Sequence, residues 1–174
     1  MGHKGPNSMK LLFENWRQYL DENENAIYYW QAKGTWEGGL GVSVPKAIPR
    51  ETIVEDIFEK IRKIKFPDRP SRLNCVFLCE NLEGFGGGSY CTDKKEDIGG
   101  NSIKTYEVKL RGNPKIFKTN SEIWTKAREL HNNGASEERI QDTAESYWNP
   151  QSYITLGEIL VSPPEAVIIV GRHE

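Results

Sequence analysis

Residues 158–170, EILVSPPEAVIIV, carry the strongest fold signal in this chain. The two apolar runs of this stretch predict a closing pair of strands, residues 154–161 and 166–170, because aliphatic and β-branched side chains favour strands. The prolines at 163–164 separate them, since proline is confined to strand ends and turns. Glu158 begins an otherwise apolar strand, and taken by itself such a glutamate is most simply explained as exposed at a sheet edge.

Strands and helices are interspersed through the preceding part of the chain. Apolar and aromatic runs predict four further strands, at residues 27–30, 73–79, 106–110 and 115–118. Helical spacing of apolar residues and capping side chains predict helices at 53–61, after Thr119 with Glu122, and after Ser136. The glycine-rich stretch 81–100 predicts a loop. Because no regular βαβ rhythm is present, the pattern favours an α+β fold.

Length and composition restrict the class of protein. The chain has 174 residues, of which 28% are charged and 37% hydrophobic, and its formal net charge is -2. These values are typical of one soluble globular domain. No apolar stretch reaches the roughly 20 residues of a membrane helix, so we expect no membrane partner. The nearly balanced charge also argues against a broad basic face for nucleic acid.

The N-terminal part divides into two short segments before the main domain. Residues 1–8, MGHKGPNS, read as a vector-derived leader. Residues 9–25 predict an amphipathic helix followed by an acidic tether, and residues 26–174 form the main domain. The helix is similar to the N-terminal helix of many tailed-phage proteins. This resemblance implies that the helix binds a virion or host partner, with Trp16 and Tyr19 as its main contacts. The alternative is that this helix packs on the main domain of the same chain.

A polar group precedes the predicted strand at 73–79. The start of this strand carries Ser71, Arg72 and Asn74. An arginine in this position can bind a diphosphate through two N–H groups. Ser and Asn side chains there can hydrogen-bond an amide or a ribose. The alternative is that Arg72 pairs with a nearby carboxylate while Asn74 caps a turn.

The cysteines and histidines carry no recognisable catalytic or metal pattern. Cys75, Cys79 and Cys91 form an odd set without a CxxC pair, which predicts reduced thiols, with Cys75 and Cys79 buried on a strand. No histidine stands at ligand spacing beside them, so we expect no metal site. We expect a cytoplasmic protein of the host cell, with association with the virion as an alternative.

The closing strand pair resembles that of the ADP-ribosyltransferase fold, in which a glutamate is followed by aliphatic residues, a proline-containing turn and a hydrophobic strand. Residues 70–78 resemble the serine-bearing strand segment of the same family. The order of elements over residues 27–170 is also similar. The resemblance, taken together with that of the N-terminal helix, implies a tailed-phage protein built from two packed small β-sheets flanked by helices.

The resemblance implies NAD as co-substrate and transfer of ADP-ribose with release of nicotinamide. Glu158 corresponds to the catalytic glutamate, which bonds the nicotinamide-ribose hydroxyl and stabilises positive charge as the glycosidic bond breaks. Ser71, Arg72 and Asn74 would hold the dinucleotide, and Tyr29 or Trp30 could stack on nicotinamide. We expect Glu158, Arg72 and Asn74 to converge on one cleft that exposes Tyr29 or Trp30.

Two departures from the family pattern leave the activity open. The first strand carries no arginine or histidine, and Leu156 stands two positions before Glu158, where members of the family that modify a protein side chain often carry Glu or Gln. The acceptor is therefore a protein side chain, a nucleic acid or water, which leaves a mono-ADP-ribosyltransferase and an NAD glycohydrolase as enzyme classes. The alternative is a non-catalytic phage protein of the same fold, virion-associated or host-binding.

Overall fold

The computed structural model describes residues 26–33, 39–47, 52–79, 102–150 and 157–173. The predicted leader, N-terminal helix and glycine-rich loop lie outside these residues. The strands are β1 Tyr28–Lys33, β2 Val76–Leu78, β3 Ile103–Leu110, β4 Lys115–Asn120, β5 Gly157–Ser162 and β6 Val167–His173. The helices are α1 Ile53–Lys65, α2 Ser121–Asn132 and α3 Glu137–Trp148, with single 3-10 turns at Arg72–Asn74 and Pro164–Ala166. The α+β prediction is confirmed.

Two antiparallel three-stranded sheets carry the fold, one ordered β1-β3-β6 and the other β2-β5-β4. They meet at one backbone bridge, where the Tyr29 N–H donates to Cys79 O at 2.8 Å and the Cys79 N–H donates to Tyr29 O at 3.0 Å. The β5 strand is central to its sheet and pairs with both β2 and β4. Its side chains are therefore buried on both faces, as expected for an apolar run without alternation.

Each face of β5 contributes to a different hydrophobic core. Ile159 and Val161 pack into the core between the two sheets. Leu160 packs into the second core, formed with the three helices. Since side chains alternate along a strand, Glu158 points to the same face as Leu160, toward the helices. The sequence pattern thus places an acidic side chain inside a helix–sheet core.

Of the two helix starts predicted from capping side chains, the one at Ser136 is confirmed and the one at Thr119 is not. Ser136 caps α3 by accepting from the Arg139 N–H, and Gly134, at φ +72°, lies beyond the end of α2. The predicted capping box from Thr119 to Glu122 is wrong. Asn120 caps α2, because the Thr119 hydroxyl donates instead to the Tyr147 carbonyl at 2.7 Å.

The predicted strand at 73–79 is shorter than expected. The structure forms a 3-10 turn at Arg72–Asn74, and only Val76–Leu78 is extended. Ser71 causes this start by capping the turn, since its hydroxyl accepts from the Leu73 N–H at 3.2 Å. The Arg72 side chain in this turn contacts all three helices, through Glu55, Trp124 and Tyr147.

The cysteine prediction is partly wrong. Cys75 and Cys79 are both buried, as expected, and Cys75 is a free thiol. Cys79, however, is disulfide-bonded, so it is not the reduced thiol that the sequence predicts. Among the helices of the described ranges, none has the length and apolar character needed to span a membrane.

Candidate functional site

Glu158 lies at the start of β5 and is sealed from solvent. Its side chain is 1% exposed, and its Oε1 accepts from Arg72 Nη1 at 2.7 Å. The exposed-edge interpretation is therefore wrong, because β5 is a central strand whose helix-facing side is covered. Arg72, 86 residues earlier in the chain, provides the charge partner that makes this burial tolerable.

Arg72 is held by a second carboxylate on α1. Its Nε donates to Glu55 Oε2 at 3.0 Å and its Nη2 donates to Glu55 Oε1 at 3.2 Å, which is a bidentate pair. The alternative prediction that Arg72 pairs with a carboxylate is confirmed, but its second part is wrong, because Ser71 and not Asn74 caps the turn. The guanidinium also lies against three aromatic rings, those of Phe77, Trp124 and Tyr147, at 4.8, 5.4 and 5.0 Å from Cζ.

Tyr147, near the end of α3, completes the group. Its fully buried hydroxyl accepts from Arg72 Nη1 and donates to Glu158 Oε1. Burial raises the pKa of Tyr147, Arg72 lowers it and Glu158 raises it again, so that the net pKa lies well above its usual value. The phenol therefore stays protonated and remains a donor. We call Glu55, Arg72, Tyr147 and Glu158 the Arg72 cluster.

The Arg72 cluster contains one cation and two carboxylates, so its formal charge is negative by one. Burial alone would lower the pKa of Arg72, but Tyr147, Glu158 and Glu55 raise it well above its usual value, and the guanidinium stays charged. Two polar atoms beside it, Glu158 Oε2 and Trp124 Nε1, are buried and have no hydrogen-bond partner in the described part of the chain. An unfilled acceptor on a buried, negatively charged group attracts a donor or a positive charge.

The remaining predicted site residues do not converge on this cluster. Asn74 shares the 3-10 turn of Arg72, but its side chain is exposed. Tyr29 and Trp30 lie on β1, in the other sheet, and the Trp30 ring packs on Tyr106 with centroids 5.7 Å apart. The structure thus brings Glu158 and Arg72 together and leaves Asn74, Tyr29 and Trp30 apart from them.

A family model described as "Protein of unknown function (DUF2441)" matches residues 42–170. The chain belongs to this DUF2441 family. The matched span contains the whole Arg72 cluster, whereas Tyr29 and Trp30 precede it. A search of curated proteins found no match to the chain.

Sequence reasoning missed two members of the cluster in this DUF2441 chain, Glu55 and Tyr147. Glu55 lies among the buried positions of α1, beside Val54 and Phe58, and an acidic residue on an apolar helix face was the available signal. Tyr147 lies on the apolar face of α3, among Ile140, Ala144 and Trp148. Its hydroxyl required a buried partner, but the sequence does not show which one.

Other reactive groups provide weaker candidates. Burial raises the pKa of the Cys75 thiol strongly, so this cysteine remains protonated and is a poor nucleophile. Across the described ranges, no group of three or more His, Cys, Asp or Glu side chains is arranged to hold a metal ion. The carboxylates of the Arg72 cluster are therefore the main chemical feature of the described fold.

Ser71 belongs to a separate, neighbouring network. Its hydroxyl donates to Glu59 Oε2 at 2.9 Å, and Arg62 donates to both oxygens of Glu59 through Nε and Nη2, at 3.0 and 2.7 Å. Burial raises the pKa of Glu59, but the hydrogen bonds from Arg62 and Ser71 outweigh it and lower the net pKa below its usual value of 4.5. Ser71 therefore fixes the chain next to Arg72.

We expect Glu59→Gln to lower the free energy of unfolding by about 1 kcal/mol at pH 7, because the amide loses the charged hydrogen bonds. Since folding lowers the pKa of Glu59, its contribution is complete above the usual value of 4.5 and is lost as the pH falls through the lower folded value. Urea unfolding from pH 7 to pH 3 measures this difference. Glu129→Gln, at an exposed position, is the control and should change stability by less than about 0.5 kcal/mol. A Glu59→Gln deficit that persists unchanged at pH 3 contradicts the assignment.

Proposed function

We propose that this chain is an ADP-ribosyltransferase-like domain that cleaves NAD, releases nicotinamide and transfers ADP-ribose to an acceptor. The observation that carries the proposal is the state of the Glu158 carboxylate. One oxygen is held by Arg72 and Tyr147, while the other is buried without a partner among the described residues. A carboxylate fixed at one oxygen and free at the other is suited to accept a hydrogen bond from a ribose hydroxyl, once the side chains that cover Glu158 move aside to admit the nucleotide.

The charge of the Arg72 cluster suits the proposed reaction. The bond between the ribose carbon and the nicotinamide nitrogen breaks, and its electron pair leaves with nicotinamide. Positive charge develops on the ribose carbon, to which the acceptor then bonds with loss of a proton. A buried cluster with one excess negative charge stabilises that developing charge more strongly than solvent-exposed carboxylates would.

The arrangement of elements also supports the finer fold assignment. Two small antiparallel sheets meet at β1 and β2, and the three helices cover the β2-β5-β4 sheet. In the family that the sequence resembles, the catalytic acid lies at the start of the strand before a proline-containing turn, and Glu158 has this position in β5. These features are what the sequence resemblance leads us to expect.

The observed contacts narrow the proposed roles of the other residues. Arg72 already uses its paired N–H groups on Glu55, so in this arrangement it positions Glu158 and has no free fork for a diphosphate. Contacts of Ser71, Asn74, Tyr29 and Trp30 with the dinucleotide stay predictions. The acceptor, the tailed-phage origin and docking through the N-terminal helix also stay predictions.

Glu158→Gln is the most direct variant for this proposal. The amide keeps the size of the side chain but removes the charge, so we expect the rate of nicotinamide release to fall about 100-fold or more. Release is measured chromatographically with NAD as the only substrate, since water can serve as acceptor. Near-ultraviolet circular dichroism of the variant establishes that the core is intact.

Glu145→Gln is the matched control, because Glu145 is also an ion-paired glutamate, held by Lys65 on the outer side of α3. The rate of nicotinamide release by Glu145→Gln should stay within about twofold of the rate of the unaltered chain, because Glu145 forms a surface ion pair. Equal release by the unaltered chain and a folded Glu158→Gln variant would remove Glu158 from the catalytic role.

The burial of Glu158 favours a second candidate, a non-catalytic protein of the same fold. A side chain that is 1% exposed and ion-paired to Arg72 can serve the core alone. The two candidates differ in their response to NAD, because any ligand of the native state raises the melting temperature by mass action. A melting temperature unchanged by millimolar NAD favours the non-catalytic protein, and a clear rise favours the enzyme.

A further inference from the structure

We propose that Tyr147 is a positioning residue that determines which oxygen of Glu158 is left free to act on the substrate. This inference rests on the proposed function and deepens it. Tyr147 is placed on α3, outside the strands and the turn from which the catalytic and binding residues were predicted. Its hydroxyl contacts both Arg72 and Glu158, and it thereby joins α3 directly to the acid.

Arg72 alone does not distinguish the two oxygens of Glu158. The oxygens of a carboxylate are chemically equivalent, and a single donor can hold either one after a small rotation of the side chain. Two donors from different elements, Arg72 Nη1 and the Tyr147 hydroxyl, both bind Oε1. This pair of donors fixes the carboxylate and leaves Oε2 as the oxygen without a described partner.

The position of the Tyr147 hydroxyl is itself fixed by packing. The ring is fully buried and contacts the rings of Phe58, Phe117 and Trp148, with centroid distances of 5.2, 6.3 and 4.8 Å. Its backbone carbonyl is also bound by Thr119, which pairs with Glu158 across β4 and β5. Tyr147 is thereby held to the same strand pair that carries the acid.

The proton of Tyr147 is also assigned by its neighbours. Because Arg72 has only donors, the tyrosine oxygen must accept from Nη1 and its own proton must point to Glu158. The raised pKa of the phenol keeps that proton in place. Phenylalanine at this position would retain the packing and remove only the hydrogen bond to Oε1.

The test is the steady-state kinetics of nicotinamide release by Tyr147→Phe, normalised to the folded fraction. We expect kcat to fall about tenfold, because a misplaced reacting group slows the chemical step. KM for NAD should stay within about twofold, since no contact with bound substrate is removed. Tyr28→Phe is the matched control, because it changes a buried tyrosine in the core between the sheets, and its kcat should be unchanged.

The outcomes separate this inference from the function on which it rests. If the unaltered chain releases nicotinamide and Tyr147→Phe keeps full kcat, the positioning role is overturned while the proposed function stands. A loss that appears only in KM, or one equal to that of Tyr28→Phe, overturns it as well. If the unaltered folded chain releases no nicotinamide, the proposed function fails and the positioning role fails with it.

Discussion

Arg72→Leu is expected to lower the free energy of unfolding by about 3–5 kcal/mol, or to prevent folding. The substitution leaves Glu55 and Glu158 buried together without a cation between them. Their side chains are 9% and 1% exposed, so water replaces little of the lost interaction. Urea unfolding followed by circular dichroism measures the effect, and a loss below about 1 kcal/mol would contradict the described cluster.

Two further variants separate lost charge balance from lost packing. Arg69→Leu is the control, because Arg69 is an exposed arginine over the Phe117 ring, and its loss should cost at most about 1 kcal/mol. Adding Glu55→Gln and Glu158→Gln to Arg72→Leu removes both unpaired charges. We expect this triple variant to regain a large part of the lost stability, since the penalty arises from uncompensated buried charge.

Trp148→Ala is expected to lower the free energy of unfolding by a similar amount, about 3–5 kcal/mol. Trp148 is fully buried at the end of α3, and its ring stacks on Phe117 with centroids 5.5 Å apart. Its Nε1 donates to the Phe58 carbonyl at 2.9 Å, which joins α3 to α1. Alanine leaves a cavity in the helix–sheet core and removes the hydrogen bond that joins α3 to α1.

Ile64→Ala on α1 is the control for this core. Ile64 is a large apolar side chain of the same helix layer but is 66% exposed. Its removal should change the free energy of unfolding by less than about 0.5 kcal/mol. Equal effects of Trp148→Ala and Ile64→Ala in urea unfolding would contradict the assignment of the core to this face of the helices.

The elements of the fold were predictable where their signals are local. Apolar runs predicted the strand pair that ends the chain, and Ser136 predicted the start of α3. The predicted boundaries of helices and strands are wrong where a side chain bonds a residue that is distant in the sequence. Thr119 does not cap α2 as predicted, because the Thr119 hydroxyl donates to the carbonyl of Tyr147, 28 residues away.

The candidate site was predictable only in part for the same physical reason. Arg72 and Glu158 were identified from strand-end positions, but their pairing spans 86 residues. Glu55 and Tyr147 carry no local motif, since one lies in an amphipathic helix and the other on an apolar helix face. A buried ion pair depends on which elements pack together, and sequence spacing does not determine that.

NAD cleavage by this chain is tested most directly in a single-turnover reaction in which the folded chain is in excess over NAD. Chromatography then follows the two products, nicotinamide and ADP-ribose, the latter either free or attached to protein. We expect the unaltered chain to convert the NAD and Glu158→Gln to do so about 100-fold more slowly. NAD that remains intact with the folded, unaltered chain would contradict the proposed function.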